Sequence, residues 1–191
     1  GQARLWAQGG NAALVAGQHE RAARDFDRAL AHPLPPTLAT GEMHLDRART
    51  RVALGDLAGA RTDLNLAIQL APADPLSWLL SATLARRQGD LKLAREQIVE
   101  AVKRAGNDPS VTLEQGVILA LSGGHDDAAR AAFARTIKDA PAGSQIAKSA
   151  EAYLAELGGE APSDKAASPP AAGAATKPAP KSAPSTPPNR H

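Results

Sequence analysis

Along residues 1–157 apolar side chains return every three or four positions, and no stretch alternates apolar with polar as a half-buried strand would. The pattern predicts helix almost throughout, and the dominant residues, Ala, Leu, Arg and Gln, are good helix formers. Helix breakers arrive at even intervals. Gly17, Gly55, Gly89 and Gly124 each end one helix and precede another, at spacings of 38, 34 and 35 residues. A period of about 34 residues is that of two-helix repeats. The capping chemistry agrees: Asp56 and Asp90 follow their glycines and can accept from the free N–H groups of the next helix. Asp74 before Pro75 supplies a cap and a first-turn proline, and Ser144 can cap a last helix running to Leu157.

Composition changes at Gly158. Residues 158–191 hold eight prolines and nine alanines, with few large apolar groups to offset the entropy of ordering them. One helical domain over 1–157 is therefore expected, followed by a disordered Pro/Ala-rich tail over 158–191. That tail reads as a passive spacer, or as an extended polyproline-type ligand or tether. Charge adds little: 22 Lys+Arg against 20 Asp+Glu leave +2, so a pI of about 9.2 does not mark a nucleic-acid binder. Aromatics make up 3 % of the chain, too few for base-stacking platforms, and no nucleic-acid partner is expected. The absence of cysteine excludes disulfides and thiolate chemistry. The longest apolar runs, such as Val117–Leu121, are too short to enter and cross a bilayer. Gly1 stands where a processed or trimmed chain would begin. The compartment is not fixed by the sequence, with a periplasmic or membrane-anchored, periplasm-facing placement slightly favoured over the cytoplasm.

No catalytic or metal chemistry is expected, and no cofactor. His19, His32, His44, His125 and His191 do not pair at metal-ligand spacing. His44 lies on a helix, at a position where a bulky residue would pack. Gly9-Gly10 and Gly123-Gly124 follow no strand and lack the Gly-Lys-Ser/Thr of a phosphate loop. No nucleophile stands with a base, so the chain is not read as an enzyme. Arg21, Arg24 and Arg28 could form a basic stripe, but Glu20, Asp25 and Asp27 are interleaved, and a solvated face laced with ion pairs is the better reading.

The recurrences resemble the tetratricopeptide-repeat (TPR) family, bacterial type, whose signature places a large residue, then Leu-Gly, then Tyr in a first helix, with Ala, Phe, Ala and Pro in and after a second. The first repeat shows Trp6, Gly10, Ala22, Phe26 and Ala29, with Pro33 nearby. The second shows Ala48, Ala60, Leu64, Ala67 and Pro72. The third shows Trp78, Ala82, Ala94, Ile98 and Ala101, and the fourth Leu113, Ala129, Phe133 and Pro141. Ala13, Arg51, Ala85 and Ala120 stand where the family usually has Tyr, and Arg47 where Leu is common. Four extra residues around His32–Thr40 leave the first helix of the second repeat open to a shifted register. The resemblance implies an all-α fold, a right-handed α-solenoid of about four TPR hairpins with a C-terminal capping helix. Ala22, Ala60, Ala94 and Ala129 let helices approach, while Phe26, Leu64, Ile98 and Phe133 fill the space between hairpins. Ile146, Ala150, Tyr153, Leu154 and Leu157 form one stripe with Lys148, Glu151 and Glu156 elsewhere, which suits a lid on the last hairpin. A partner-binding helix is the other reading of that segment.

In TPR proteins the first helices line a concave groove. By position, that resemblance implies a partner-binding set of Arg4, Asn11, Glu42, Leu45, Arg49, Val52, Leu76, Leu79, Thr83, Arg86, Val111, Glu114, Ile118 and Leu121, with Ala7 among them. Some members clamp a C-terminal carboxylate with Lys, Asn and Arg. Here the matching positions hold Ala7, Asn11, Asp46, Leu76 and Leu80, so that clamp is not expected. An apolar second half from Leu76 to Leu121, flanked by Arg49 and Arg86, suits a helix or extended peptide. The implied function is a protein-interaction scaffold for another protein or peptide, assisting assembly of a cell-envelope or secretion complex. The alternatives are a self-associating, homo-oligomeric module or an accessory domain of a longer enzyme or transporter.

Overall fold

A computed structural model describes residues 1–158, and among them every regular element is helical. The elements are α1 (Gln2–Val15), α2 (His19–Leu30), α3 (Leu38–Leu54), α4 (Leu57–Leu70), α5 (Pro75–Arg87), α6 (Leu91–Ala105), α7 (Pro109–Ser122), α8 (Asp126–Asp139) and α9 (Gln145–Glu156). They form four hairpins, α1–α2, α3–α4, α5–α6 and α7–α8, with α9 laid over the last. Apart from Gly158, the expected Pro/Ala-rich tail lies outside the described residues.

The helix starts are chemical. Thr37 accepts from Thr40 N at 3.3 Å, Asp56 from Gly59 N at 2.9 Å, Asp90 from Leu93 N at 3.0 Å and Ser144 from Ala147 N at 3.3 Å. Asp74 and Asp108 each cap a helix whose first residue is proline. Each such cap stabilises its helix by about 1 kcal/mol relative to alanine. Gly17, Gly55 and Gly89 turn the chain at φ of 71°, 81° and 80°, which glycine adopts without a Cβ penalty.

Within each hairpin a size-matched pair sets the approach of the two helices. Phe26 lies on Gly10 and Phe133 on Gly116, where an added Cβ would come within 2.9 Å and 2.5 Å of the rings. Where the first helix carries Ala48 or Ala82 instead, the second carries the smaller Leu64 or Ile98 in the same core cluster. All four large residues are essentially sealed, at 0 % to 2 % exposure.

These pairs correct the expected registers. The first helix of the second repeat is not shifted, because Ala48 meets Leu64 as Ala82 meets Ile98. The extra residues form the connection before Thr37, and α3 is simply long, at 17 residues. The fourth repeat is the displaced one. Its extra residue lies in the turn after α7, where Gly123 and Gly124 both have positive φ, 68° and 69°. The spacing in α7 therefore stays at 34 from Ala82 to Gly116, and Thr112 rather than Leu113 takes the place of Trp6, His44 and Trp78. Thr112 is buried and its hydroxyl bonds that of Thr136 at 2.8 Å.

The family departures at Arg47 and Arg51 also have a cause. Both point at Asp63 of α4, which is 0 % exposed. Asp63 accepts from His44 Nδ1 at 2.9 Å, from Arg47 at 2.9 and 2.8 Å, and from Arg51 at 3.0 Å. Arg47 also donates to Asp27 of α2 at 3.1 Å, tying the first hairpin to the second. Burial alone would raise the Asp63 carboxyl, but the hydrogen bonds of His44 and Arg47 and the charges of Arg47 and Arg51 hold it below the usual carboxylate value.

The C-terminal lid is polar outside and apolar inside. Ala147 and Ala150 are buried, Tyr153 stacks on Phe133 with ring centroids 5.3 Å apart, and Lys148, Glu151 and Glu156 face solvent. The two tryptophans sit at matching repeat positions, Trp6 exposed and Trp78 half-buried against the core of the third repeat, each under an arginine of the second helix. Arg28 lies 4.5 Å from the Trp6 ring and Arg104 4.9 Å from the Trp78 ring. Arg28 is exposed on the expected solvated face and also covers the ring, and on that face Arg21 reaches Asp25 at 3.8 Å.

Candidate functional site

The first helices of the hairpins stand side by side, and two adjoining cavities open between them. The first, of about 560 Å³, lies between α1, α3 and the connection that precedes α3. Its α1 wall carries Arg4, Ala7, Gln8 and Asn11, and its α3 wall Glu42, Met43 and Asp46. The connection closes one end with Leu34 and Pro35, pinned by Thr40 Oγ1 donating to Pro35 O at 2.7 Å. The connection that holds the extra residues thus contributes Leu34, Pro35 and Thr37 to the lining.

One wall of this cleft is basic and amide-rich, the other acidic. Arg49 lies 3.5 Å from Asp46. The Asp46 carboxyl is nonetheless raised above its ordinary value, chiefly by burial, with Arg49 opposing and Glu42 and Asp74 adding like charge.

The second cavity, of about 150 Å³, lies between α3 and α5 and is lined by Val52, Leu80, Thr83 and Leu84 between Arg49 and Arg87. It is an apolar slot with a guanidinium on each side. Arg86, expected to flank the groove, is paired with Glu114 of α7. Arg87 takes the flanking role.

The expected groove residues divide into four groups. Arg4, Asn11 and Glu42 line the cleft, and Arg49, Val52 and Thr83 line the slot. Leu76 and Leu121 are exposed at 42 % and 57 %, while Leu79 is half-buried against the core of the third repeat. Arg86 and Glu114 neutralise one another. Leu45, Val111 and Ile118 are buried at 4 %, 1 % and 0 %, so they belong to the core and not to an open surface. Leu45 is held there by the cluster of Ala60, Leu64 and Leu84. For Val111 and Ile118 the expectation carries the one-residue offset of the later turn, which rotates a helix position by about 100°. They join Ile98 and Ala101 in the core.

Gln8, Asp46 and Leu80 are absent from the expected set. They follow one residue after Ala7, Leu45 and Leu79 and form a second row on the same face. In the sequence, Asp46 and Leu80 stand out only against the carboxylate clamp of other members, whose residue types they lack.

A sequence profile of the tetratricopeptide repeat matches residues 8–75 and 79–144, most of the chain. The chain is a tetratricopeptide-repeat protein. No curated protein matches the sequence individually. Among solved structures, the MamA protein is similar at TM-score 0.66 with 16 % identity, covering 81 % of each chain. The TPR protein TTC0263 of Thermus thermophilus is similar at 0.64 with 20 % identity, over 82 % of this chain and 83 % of that one. YrrB, a TPR protein with an unusual peptide-binding site, is similar at 0.62 with 19 % identity, over 79 % and 75 %. At such identities the likeness is one of fold. TPR chains are generally protein-interaction scaffolds without catalysis of their own. Among the described residues no group of three or more His, Asp or Glu could hold a metal ion, and no helix is long and apolar enough to cross a membrane.

Proposed function

We propose that the face formed by α1, α3 and α5 binds a segment of a partner protein, an extended peptide or short helix with an apolar anchor beside an acidic residue. The supporting observation is the slot between α3 and α5, where Val52, Leu80 and Leu84 make an apolar floor between Arg49 and Arg87. An apolar side chain fits that floor, and a carboxylate next to it can meet either guanidinium through paired N–H donors. The cleft between α1 and α3 extends the track and adds acceptors at Glu42 and Asp46, which suit a basic or amide group further along the ligand.

Selection from a random peptide library displayed on phage, followed by titration of the selected peptides, tests this reading. Selected sequences should share an apolar residue next to Asp or Glu. Leu80→Glu should weaken them by about tenfold or more, and Arg87→Glu by a similar factor. Arg87 is exposed and Leu80 is half-buried against the core of the second repeat, so thermal melting and circular dichroism check that each variant folds. Ile118, being in the core, is unsuited to such a test. Selected peptides indifferent to Leu80→Glu would reject the slot as the binding site.

A further inference from the structure

Two charges on the open face of α3 are only loosely satisfied. Asp46 and Arg49 stand one turn apart, the first in the wall of the cleft and the second beside the slot. Their nearest charged atoms are 3.5 Å apart, longer than a usual hydrogen bond. Asp46 keeps 21 % of its side-chain surface in water, and among the described residues no side chain other than Arg49 donates to it. Its other charged neighbours, Glu42 on the same helix and Asp74 before α5, repel it. Arg4 lies on the facing wall of α1 and makes no ion pair with it among the described residues. Other acids that face a neighbouring helix are better served. Asp63 takes hydrogen bonds from three side chains, and Glu114 meets Arg86 through two N–H groups.

The loose pair sits between the two cavities, so occupancy of one bears on the other. A ligand carboxylate in the slot has Arg49 on one side and Arg87 on the other. To take Arg49 it draws that guanidinium away from Asp46, which is left half-buried beside Glu42 and Asp74 with no cation. A buried charge stripped of its partner is the costly result of breaking an ion pair. A ligand cation in the cleft offsets that cost, because it meets Asp46 and Glu42 together.

Building on the groove as the binding face, we propose that its ligand is a segment carrying two charges, an acid in the slot and a lysine or arginine in the cleft. The Asp46–Arg49 pair couples them, exchanging its internal contact for one contact with each ligand charge. Glu42 and Arg49 are separated by a rise of about 10 Å along α3, which an extended chain covers in about three residues. The acid and base of the ligand are therefore near neighbours in its sequence.

Peptides selected on the full chain should carry Lys or Arg within about three residues of their acid. In one such peptide, replacing the acid by Gln, the base by Gln, or both gives a cycle read by fluorescence anisotropy. Each single replacement should weaken binding about tenfold, and the second should add less than about threefold. The base-free peptide should bind Asp46→Asn about fivefold more tightly than the wild-type chain, since Arg49 is then released without stranding a charge. The acid-free peptide should gain likewise on Arg49→Gln, where its base has Asp46 without a competitor. Arg49 is exposed and Asp46→Asn is nearly isosteric, and thermal melting checks that both variants fold. Charge effects that multiply independently, selected peptides without a base near the acid, or neither gain appearing would overturn the coupling. Peptides that fail these tests yet respond to Leu80→Glu reject the coupling alone, whereas indifference to Leu80→Glu rejects the groove and the coupling together.

Discussion

The second and fourth repeats share one hairpin geometry and hold it by opposite means. In the second, Asp63 is sealed from solvent and takes hydrogen bonds from His44, Arg47 and Arg51. In the fourth, Ala132 stands at the Asp63 position, Thr112 at that of His44, and the space is filled by Phe133 lying on Gly116 and stacked under Tyr153. What the repeat requires is a filled volume and satisfied polar groups, not particular residues. In a solenoid each hairpin touches only its neighbours, so such choices are made repeat by repeat. The two repeats should therefore fail under different perturbations.

The largest effect is expected at the aromatic repeat. Phe133→Ala should cost about 3–5 kcal/mol, since it removes a fully buried ring and leaves both Gly116 and Tyr153 facing a void. Asp63→Ala should cost about 2–3 kcal/mol, less than the 3–5 typical of a broken buried ion pair, because Arg47 and Arg51 keep 16 % and 24 % of their side-chain surface in water. Urea unfolding measures both. The comparison sharpens in the triple variant Asp63→Ala, Arg47→Leu, Arg51→Tyr, which puts the residues common in the family at positions 47 and 51. It should recover part of the loss, because an apolar replacement of a buried ion-pair cluster is often neutral, while His44 Nδ1 still loses its acceptor. A triple variant as unstable as Asp63→Ala would mean that the second repeat depends on its charges in a way the fourth does not.

A middle-sized effect tests the pairing of sizes. Gly116→Ala brings a Cβ to 2.5 Å from the Phe133 ring and should destabilise by about 1–2 kcal/mol, overpacking outweighing the gain in helix propensity. In a Phe133→Leu background the same change should be neutral or stabilising, reproducing the Ala48–Leu64 pair of the second repeat. Additive losses would refute the size rule.

That rule also marks how far the sequence could be read. The period, the caps at Asp56, Asp74, Asp90 and Ser144, and the sealing of Phe26, Leu64, Ile98 and Phe133 all follow from local chemistry, and the structure has each of them. Glycine spacing alone misplaces α7 by one residue, because an inserted glycine in a turn shifts the helix after it and not the one before. Phe133 requires the smallest possible partner, and Gly116 is the available signal. The site is harder to read. Whether Leu45 ends in the core or Arg86 meets Glu114 depends on how far neighbouring hairpins rotate, and no residue pattern within one hairpin records that. The Arg47–Asp63 pairing is similarly hidden, since its members lie on different helices and look like isolated departures when read singly.

The smallest effect is a pH dependence carried by the second repeat. The Asp63 carboxyl lies below its ordinary value in the fold, so the unfolded chain takes up a proton first as the solution is acidified. Its contribution is complete above the unfolded-state pKa of about 3.9 and is lost as pH falls below that, through the lower folded-state value. Asp46 runs the other way. Its carboxyl is raised, so the stability it contributes is present at low pH and lost as pH rises through the folded-state value. The hydroxyl pair Thr112–Thr136 in the fourth repeat does not titrate at all. The difference in stability between the wild-type chain and Asp63→Asn should accordingly be constant near neutrality and shrink below about pH 4, while that between wild type and Thr112→Val stays level throughout. An Asp63→Asn difference that persists undiminished to about pH 2 would mean that protonation does not weaken the cluster, and that hydrogen bonding rather than charge holds the second repeat.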